Sequence, residues 1–250
     1  MGPHVIRALG KRHQLLVTDI NEAPKDSTHE YLRLDAGDTA GVIAAAAGMD
    51  AIINLSVARS DRHAAFEVNT RGNYNVVRAA AQHGIRRIIN TGPYHQVTGP
   101  SYDEWDFELS ADLPPQPGTR LYALSKALGQ ELLRVWSEHY DIYIQTLLFF
   151  LMRDPAPTAT RSRDSNDTSA PGRDMTPFTI AWPETGTAVR AALEVELARL
   201  PSRCESYFVF PQLPHQNYNS EKIRRVLGWT PEHHLEYLWQ RPIAGDAASL

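Results

Sequence analysis

The chain has 250 residues, of which 42% are hydrophobic, and a formal net charge of -4 at pH 7. A chain of this length can bury a large core, and without a basic stripe it is not expected to bind nucleic acid. It has no apolar run of about 18 residues, so we predict no membrane partner. The lone Cys204 can form no internal disulfide and has no ligand-spaced companions, so we predict no metal site and a reducing, cytoplasmic location.

Strand and helix signals alternate along the chain. Apolar runs that end in polar residues or glycine predict strands at 15–19, 31–35, 50–56, 85–92, 142–150 and 206–210. Apolar residues at helical spacing predict helices at 5–10, 39–48, 64–84, 121–140, 184–200 and 219–229. This alternation predicts an α/β fold with a doubly wound, mostly parallel sheet and right-handed crossovers.

The composition changes after Phe150. Residues 153–176 contain almost nothing that could enter a core, and such a segment is either a surface loop or a lid over a substrate. We predict that residues 1–150 form a dinucleotide-binding, Rossmann-type domain that is incomplete at its N-terminus. Residues 151–250 are predicted to form a small substrate-binding subdomain with a flexible loop at about 153–176.

The segment YALSK combines two residues that can transfer a proton. Tyr122 and Lys126 lie four residues apart, so both side chains leave the same face of one helix. A phenol has an ordinary pKa near 10, and a neighbouring ammonium lowers it, so the pair could exchange a proton with a hydroxyl or carbonyl oxygen. The bare pair also fits an exposed amphipathic face. The opposite stripe of this helix is predicted to be buried and consists of Leu124, Leu128, Leu132 and Val135.

Five segments carry motifs that belong together: DAIINLSVA, FEVNTRGNYNVVRAA, YALSKALGQELL, LLFFLMRDP and RRVLGWTP. Jointly they resemble the extended short-chain dehydrogenases/reductases, the NAD-dependent epimerase/dehydratase family. The likeness extends from Gly2 to about Trp229. It implies a Rossmann-type sheet, an oxidoreductase or isomerase activity on a sugar, and NAD as the cofactor.

The resemblance also implies roles for individual residues. Tyr122 would be the general acid/base, and Lys126 would lower its pKa and hold the nicotinamide ribose. Asp19 would accept hydrogen bonds from the adenosine ribose and disfavour a 2′-phosphate, so that NAD is preferred to NADP; read plainly, Asp19 only starts a turn. Asn69 would brace the catalytic helix. The remaining residues implied to contact the cofactor are Gly2, Ile20, Asp35, Ala36, Leu55, Ser56 and Val57.

The segment after the strand at 85–92 departs from the family pattern. The family has a serine run there, whose hydroxyl binds the reacting oxygen, whereas this chain has Gly92 and Pro93. Thr91 precedes this position, and Tyr94 and His95 follow it. Thr91 and His95 are therefore candidate catalytic residues, and the spacing does not choose between them.

The glycine-rich loop also departs from the family, because Gly2 matches only the last glycine of Gly-x-x-Gly-x-x-Gly. We expect a strand and a glycine turn of about ten residues to lie upstream in the full gene. In the strand order 3-2-1-4-5-6, that strand belongs between the strand ending at Asp19 and the strand AIINLS. We therefore expect a gap in the sheet at this place and weak NAD binding.

Three functions remain open. The first is an NAD-dependent epimerase/dehydratase-like oxidoreductase that acts on a sugar or nucleotide-sugar by hydride transfer. The second is an NAD-dependent sugar or sugar-acid dehydrogenase that releases NADH, and the third is a degenerate scaffold that binds without turnover. Family members often dimerise through the catalytic helix and the FEVN helix, where this chain has Ala79, Ala80 and Ala127, so we expect a homodimer.

Overall fold

The structure, a computed structural model, describes residues 1–23, 28–97, 108–154, 178–211 and 218–233. The predicted surface loop or lid at 153–176 lies almost entirely outside the described residues.

The described chain alternates strands and helices as the sequence predicts. The strands are β1 (Leu16–Asp19), β2 (Glu30–Arg33), β3 (Ala51–Asn54), β4 (Arg87–Pro93), β5 (Tyr143–Phe149), β6 (Leu151–Arg153), β7 (Thr179–Ala181) and β8 (Cys204–Phe208). The helices are α1 (Gly2–Leu9), α2 (Thr39–Ala45), α3 (Arg62–Ala65), α4 (Gly72–His83), α5 (Leu121–His139), α6 (Trp182–Glu194) and α7 (Glu221–Leu227). A π-helical segment (Phe66–Arg71) joins α3 to α4, and short 3-10 turns occupy Tyr94–Gln96 and Leu197–Arg199.

All strand pairs are parallel, and the predicted α/β, doubly wound class is confirmed. The main sheet has the order β3-β4-β5-β8, while β1 pairs with β2 and β6 pairs with β7. One apolar layer lies between the sheet and helices α1, α6 and α7 and includes Leu9, Leu147, Val189, Tyr207 and Trp229. The layer on the other face lies under α2, α4 and α5 and includes Val42, Val77, Ile88, Leu133 and Ile144.

The sheet is interrupted between β1 and β3. Within the described ranges, β1 has β2 as its one strand neighbour and β3 has β4 as its one strand neighbour. Leu16 and Val17 of β1 are only half-buried, whereas Ile88 and Ile89 of β4 are fully buried. The interruption falls where the sequence predicts the gap, and it leaves one backbone edge of each flanking strand without a strand partner.

The predicted buried stripe of the helix α5 is wrong: Leu124 and Leu132 are only half-buried, and the other two residues are exposed. Leu128 is 43% exposed and Val135 is 39% exposed. Apart from Leu133, the inward face instead carries small and polar residues, because α5 approaches the π-helical segment very closely at Gly129. A Cβ atom added to Gly129 would lie 2.1 Å from the carbonyl oxygen of Asn69. Large apolar residues cannot enter the contact at Gly129, and the large apolar residue that α5 does bury, Leu133, lies one turn further along the helix.

The alanines expected at a dimer interface are also placed differently. Ala79, Ala80 and Ala127 are all buried inside the chain. Their small side chains let α4 and α5 pack against each other and against the sheet, so they cannot face a second subunit. The apolar residues that are exposed on α4, α5 and the π-helical segment are larger, for example Phe66, Tyr74 and Leu128.

The described residues after 150 share the core of the first part. β8 pairs with β5 as the last strand of the main sheet, and α6 packs against α1. A Cβ at Gly186 of α6 would lie 2.3 Å from the carbonyl oxygen of His4, which shows how close the two helices are. No helix in the described ranges combines the length and apolar character needed to cross a membrane.

Candidate active site

The candidate site lies at the carboxyl ends of β3 and β4, the edge where open parallel sheets bind their ligands. Lys126 reaches this edge from the first turns of α5. Its Nζ donates to the backbone carbonyl of Ser56 at 2.8 Å and to that of Thr91 at 3.0 Å. The ammonium of Lys126 thus connects the segment after β3 to the end of β4.

Lys126 is 2% exposed. Burial in a site of low polarity disfavours its charged form and, with a smaller contribution from Arg59, lowers its pKa to about 7. A charged ammonium has three N–H donors, of which the two carbonyls use two. The third is available to an oxygen of a bound ligand.

Tyr122 lies one helical turn before Lys126 and is half-buried. Burial raises the pKa of its phenol, and the positive charge of the Arg59 guanidinium opposes this rise. The guanidinium carbon lies 5.3 Å from the centroid of the Tyr122 ring. The structure therefore places a second cation, Arg59, beside the phenol that the sequence pairs with Lys126.

Arg59 was missed by the sequence reasoning. It follows Ser56 by three residues in the loop after β3, and no periodicity or motif marks it. One signal could have identified Arg59. It is a cationic residue in the loop after β3, and the start of this loop is expected to line the cofactor groove.

The structure places the candidates for the missing serine against different neighbours. The ring of His95 packs edge-on against the ring of Tyr122, with 5.7 Å between the centroids. The hydroxyl of Thr91 instead donates to the carbonyl of Asn54 at 3.1 Å, which ties it to β3. Tyr94 packs against Phe150, with 4.4 Å between ring centroids. His95 is therefore the candidate placed beside the phenol.

Asn69 connects the loop after β3 to α5. It is fully buried in the π-helical segment, a type of turn that often occurs at functional sites. Its Oδ1 accepts from the backbone N–H of Ala58 at 3.1 Å, and its Nδ2 donates to the carbonyl of Ala58 at 2.6 Å and to Ser125 Oγ at 3.0 Å. These bonds connect the loop after β3 to Ser125, the residue before Lys126.

Buried asparagines extend this network under the site, and the sequence reasoning did not identify them. Asn54, the last residue of β3, donates through Nδ2 to Asn73 Oδ1 at 2.9 Å, and its own Oδ1 accepts from the N–H of Ser56 at 3.1 Å. Asn73 in turn donates to the carbonyl of Asn69 at 2.7 Å. Since each bond satisfies a buried polar group, the network fixes the path of the chain after β3.

The residues expected to contact the adenosine lie at the ends of β1 and β2. Asp19 is exposed, and its Oδ1 accepts from the backbone N–H of Asn21 at 3.0 Å, as a turn-starting residue does. Ile20 beside it is 56% exposed. Asp35 accepts from the N–H of Gly37 at 2.8 Å. Both carboxylates therefore hold turns, and that of Asp19 lies at the end of β1, the strand next to the interruption in the sheet.

The other expected cofactor residues line the same edge. The carbonyl of Ala36 accepts from Asn75 Nδ2 at 2.8 Å. Leu55 and Ser56 are half-buried and Val57 is exposed. A Cβ at Gly2 would meet no atom within 4 Å, so the start of α1 is open.

Comparison with known proteins identifies the family. The model of the NAD dependent epimerase/dehydratase family matches residues 1–164. The chain belongs to this family. Uronate dehydrogenase from Pseudomonas putida is 32% identical over 141 residues, which are 54% of this chain and 51% of that protein. The chain spans about half the length of the curated relatives it matches.

Solved structures share the fold. Glucuronic acid dehydrogenase from Chromohalobacter salexigens superposes with a TM-score of 0.72 at 20% identity, over 99% of this chain and 88% of that one. MoeE5, solved in complex with UDP-glucuronic acid and NAD, has a TM-score of 0.70 at 14% identity, over 94% of this chain and 91% of that one. At these identities the likeness concerns the fold alone.

Proposed function

We propose that this chain carries out the chemistry of an NAD-dependent dehydrogenase that oxidises a hydroxyl group of a sugar acid. The observation that carries the proposal is the grouping of Tyr122, His95 and Lys126 at the carboxyl ends of β3 and β4. The similarity to uronate dehydrogenase supports a sugar acid as the substrate class.

The residues present fit the two ribose groups of NAD. Lys126 has one N–H donor left for the nicotinamide ribose, and the exposed carboxylate of Asp19 suits the hydroxyls of the adenosine ribose. The first turn of α1 fits the diphosphate less well. Pro3 has no N–H, and the N–H groups of His4 and Val5 both donate to the carbonyl of Met1. NAD, when bound, supplies the hydride acceptor.

Residues of this chain would then remove the substrate proton and hold the reacting oxygen. The phenolate oxygen of Tyr122 removes the proton from the substrate hydroxyl at the carbon being oxidised. His95, beside that ring, takes the place of the family serine and hydrogen-bonds the same substrate oxygen. Lys126 orients the cofactor ribose, and Asn69 keeps α5 in register through Ser125.

We also propose a homodimer that forms through the outer face of α4, α5 and the π-helical segment. Five large apolar residues are exposed there: Phe66, Tyr74, Leu128, Val135 and Tyr140. Exposed apolar side chains grouped on neighbouring helices are typical of protein interfaces. Residues 151–250 are proposed to supply the substrate side of the site.

The second candidate function is epimerisation of a nucleotide-sugar, in which the hydride returns to the substrate. The shared fold with a protein that binds UDP-glucuronic acid favours it. The third, a scaffold without turnover, is favoured by the absence of a hydroxyl at Gly92 and Pro93.

One assay separates these three functions. NADH absorbance is followed with glucuronate, glucose or UDP-glucuronic acid as the substrate, and the sugar products are separated. We expect NADH to accumulate with glucuronate and not with glucose. An epimer of the nucleotide-sugar without NADH would support the second function, and bound NAD without any product would support the third.

A further inference from the structure

A guanidinium group lies against the proposed catalytic tyrosine. Arg59 reaches Tyr122 from the loop after β3, with its guanidinium carbon 5.3 Å from the ring centroid. The side chain of Arg59 is exposed, and no carboxylate within the described ranges forms an ion pair with it. Its charge is therefore not neutralised by a described acidic neighbour, and the phenol is a partner that it does contact.

Lys126 is poorly placed for the same task. Two of its N–H groups are directed to the carbonyls of Ser56 and Thr91. Burial lowers the pKa of this lysine to about 7, so it is charged in only about half of the molecules at neutral pH. An arginine stays charged throughout the pH range in which proteins are stable.

The other groups around the phenol do not supply a permanent positive charge. His95 meets the ring edge-on from the turn after β4, and Lys126 lies one turn further along α5. Of all charged groups in the described chain, Arg59 is the one that moves the pKa of Tyr122, against the rise that burial causes.

We propose that Arg59 is the positioning residue of this site: it holds the Tyr122 phenol in its reactive orientation and stabilises the phenolate, the task that the family resemblance gives to Lys126. The functional meaning of this assignment rests on the proposed dehydrogenase activity. The contact itself acts on the ionisation of Tyr122 whether or not a substrate is turned over.

The direct test is the titration of Tyr122 in the free protein. Tyrosine labelled with carbon-13 at Cζ is incorporated, the Tyr122 signal is assigned by its loss in Tyr122→Phe, and its shift is followed with pH. An opposite charge at this range changes a pKa by about one unit when it is partly exposed. We expect the pKa of Tyr122 to rise by about that amount in Arg59→Gln and to stay near the native value in Arg59→Lys.

The matched control is Arg62→Gln, which removes an exposed arginine at the start of α3, three residues away in sequence. It should leave the Tyr122 titration unchanged. An unchanged titration in Arg59→Gln, or an equal change in Arg62→Gln, would overturn the proposal.

Kinetics then distinguish this role from substrate binding. If Arg59 acts through Tyr122, Arg59→Gln lowers kcat near neutral pH, activity recovers at higher pH, and KM for glucuronate changes little. A large rise of KM for glucuronate with an unchanged pH profile would mean that Arg59 binds the substrate carboxylate, which refutes the proposal. A shifted titration in a chain that forms no NADH would leave the Arg59 role intact and refute the dehydrogenase function.

Discussion

The ammonium of Lys126 donates to the carbonyl oxygen of Ser56 at 2.8 Å from a position that is almost completely closed to solvent. This contact places a positive charge where water cannot solvate it, and burial lowers the pKa of Lys126 from its ordinary value of 10.5 to about 7. Between these two pH values, the unfolded chain holds a proton at Lys126 that the folded chain lacks. Linkage then requires stability to rise with pH over this interval. Below it, the destabilising effect of the buried ammonium is largest and no longer changes with pH.

We therefore expect the free energy of unfolding of the native chain, relative to Lys126→Met, to increase between pH 7 and pH 10. Urea denaturation of both proteins at several pH values measures this difference. Lys11→Met, which removes an exposed lysine after α1, is the control and should follow the native pH dependence. A constant difference between native and Lys126→Met would contradict the lowered pKa.

Tyr122→Phe should abolish most turnover because the ring remains and only the proton carrier is lost. Loss of a general acid/base typically lowers a rate by about 10²–10⁴-fold. NAD affinity should barely change, since the phenol is not expected to carry cofactor binding. Initial rates and NAD titration of the same preparation measure both effects. Near-native turnover in Tyr122→Phe would exclude it as the proton carrier.

Asp19 is expected to select NAD over NADP. Its carboxylate is exposed at the end of β1, where a 2′-phosphate would meet like charge. The preference should exceed about tenfold, or about 1.4 kcal/mol. Asp19→Asn should reduce it, because the amide keeps the hydrogen-bonding shape without the charge. Calorimetric titration of both cofactors tests this, and equal affinities in the native chain would refute the role of Asp19.

Gly129→Ala should destabilise the chain. The added Cβ would lie 2.1 Å from the carbonyl oxygen of Asn69 and 2.4 Å from Nδ2 of Asn73, so α5 must move away from the π-helical segment. Overpacking of this kind costs about 1–3 kcal/mol. Gly2→Ala, where the new methyl group meets nothing within 4 Å, is the control for stability. Equal unfolding midpoints for the two variants would contradict the close packing.

Leu128→Glu should prevent the proposed dimer. Leu128 is 43% exposed on the outer face of α5, so a carboxylate there is tolerated in the monomer and repelled in an apolar interface. Light scattering at micromolar concentration should give a dimer mass for the native chain and a monomer mass for Leu128→Glu. Lys11→Glu, a charge reversal at the exposed turn after α1, should remain dimeric. A monomeric native chain would refute the interface.

Much of the fold could be predicted from local pattern. β5 is recognisable because a strand buried on both faces is a nearly continuous apolar run. The interruption between β1 and β3 could also be predicted, since the family resemblance implies a strand before α1 and the strand order 3-2-1-4-5-6 places that strand here. The pairing of Tyr122 with Lys126 on one helix face follows from the helical repeat alone.

Whether a helix face is buried or exposed depends on which elements pack against it. The sequence of the helix alone does not contain this information. The outer stripe of α5 has the periodicity of a core face, yet Leu128 and Val135 are exposed because Gly129 is the residue in contact with the π-helical segment. Periodicity identifies an apolar face but does not say whether the chain itself or a partner covers it.

The sequence by itself determined the α/β alternation, the family and the presence of a tyrosine–lysine pair. Only the tertiary structure decided how these two residues are charged. The low pKa of Lys126 comes from desolvation, and the cation beside Tyr122 comes from Arg59, 63 residues earlier in the chain. Desolvation and charge–charge contacts depend on distance in space, and the folded packing of loop, strand ends and helix sets those distances.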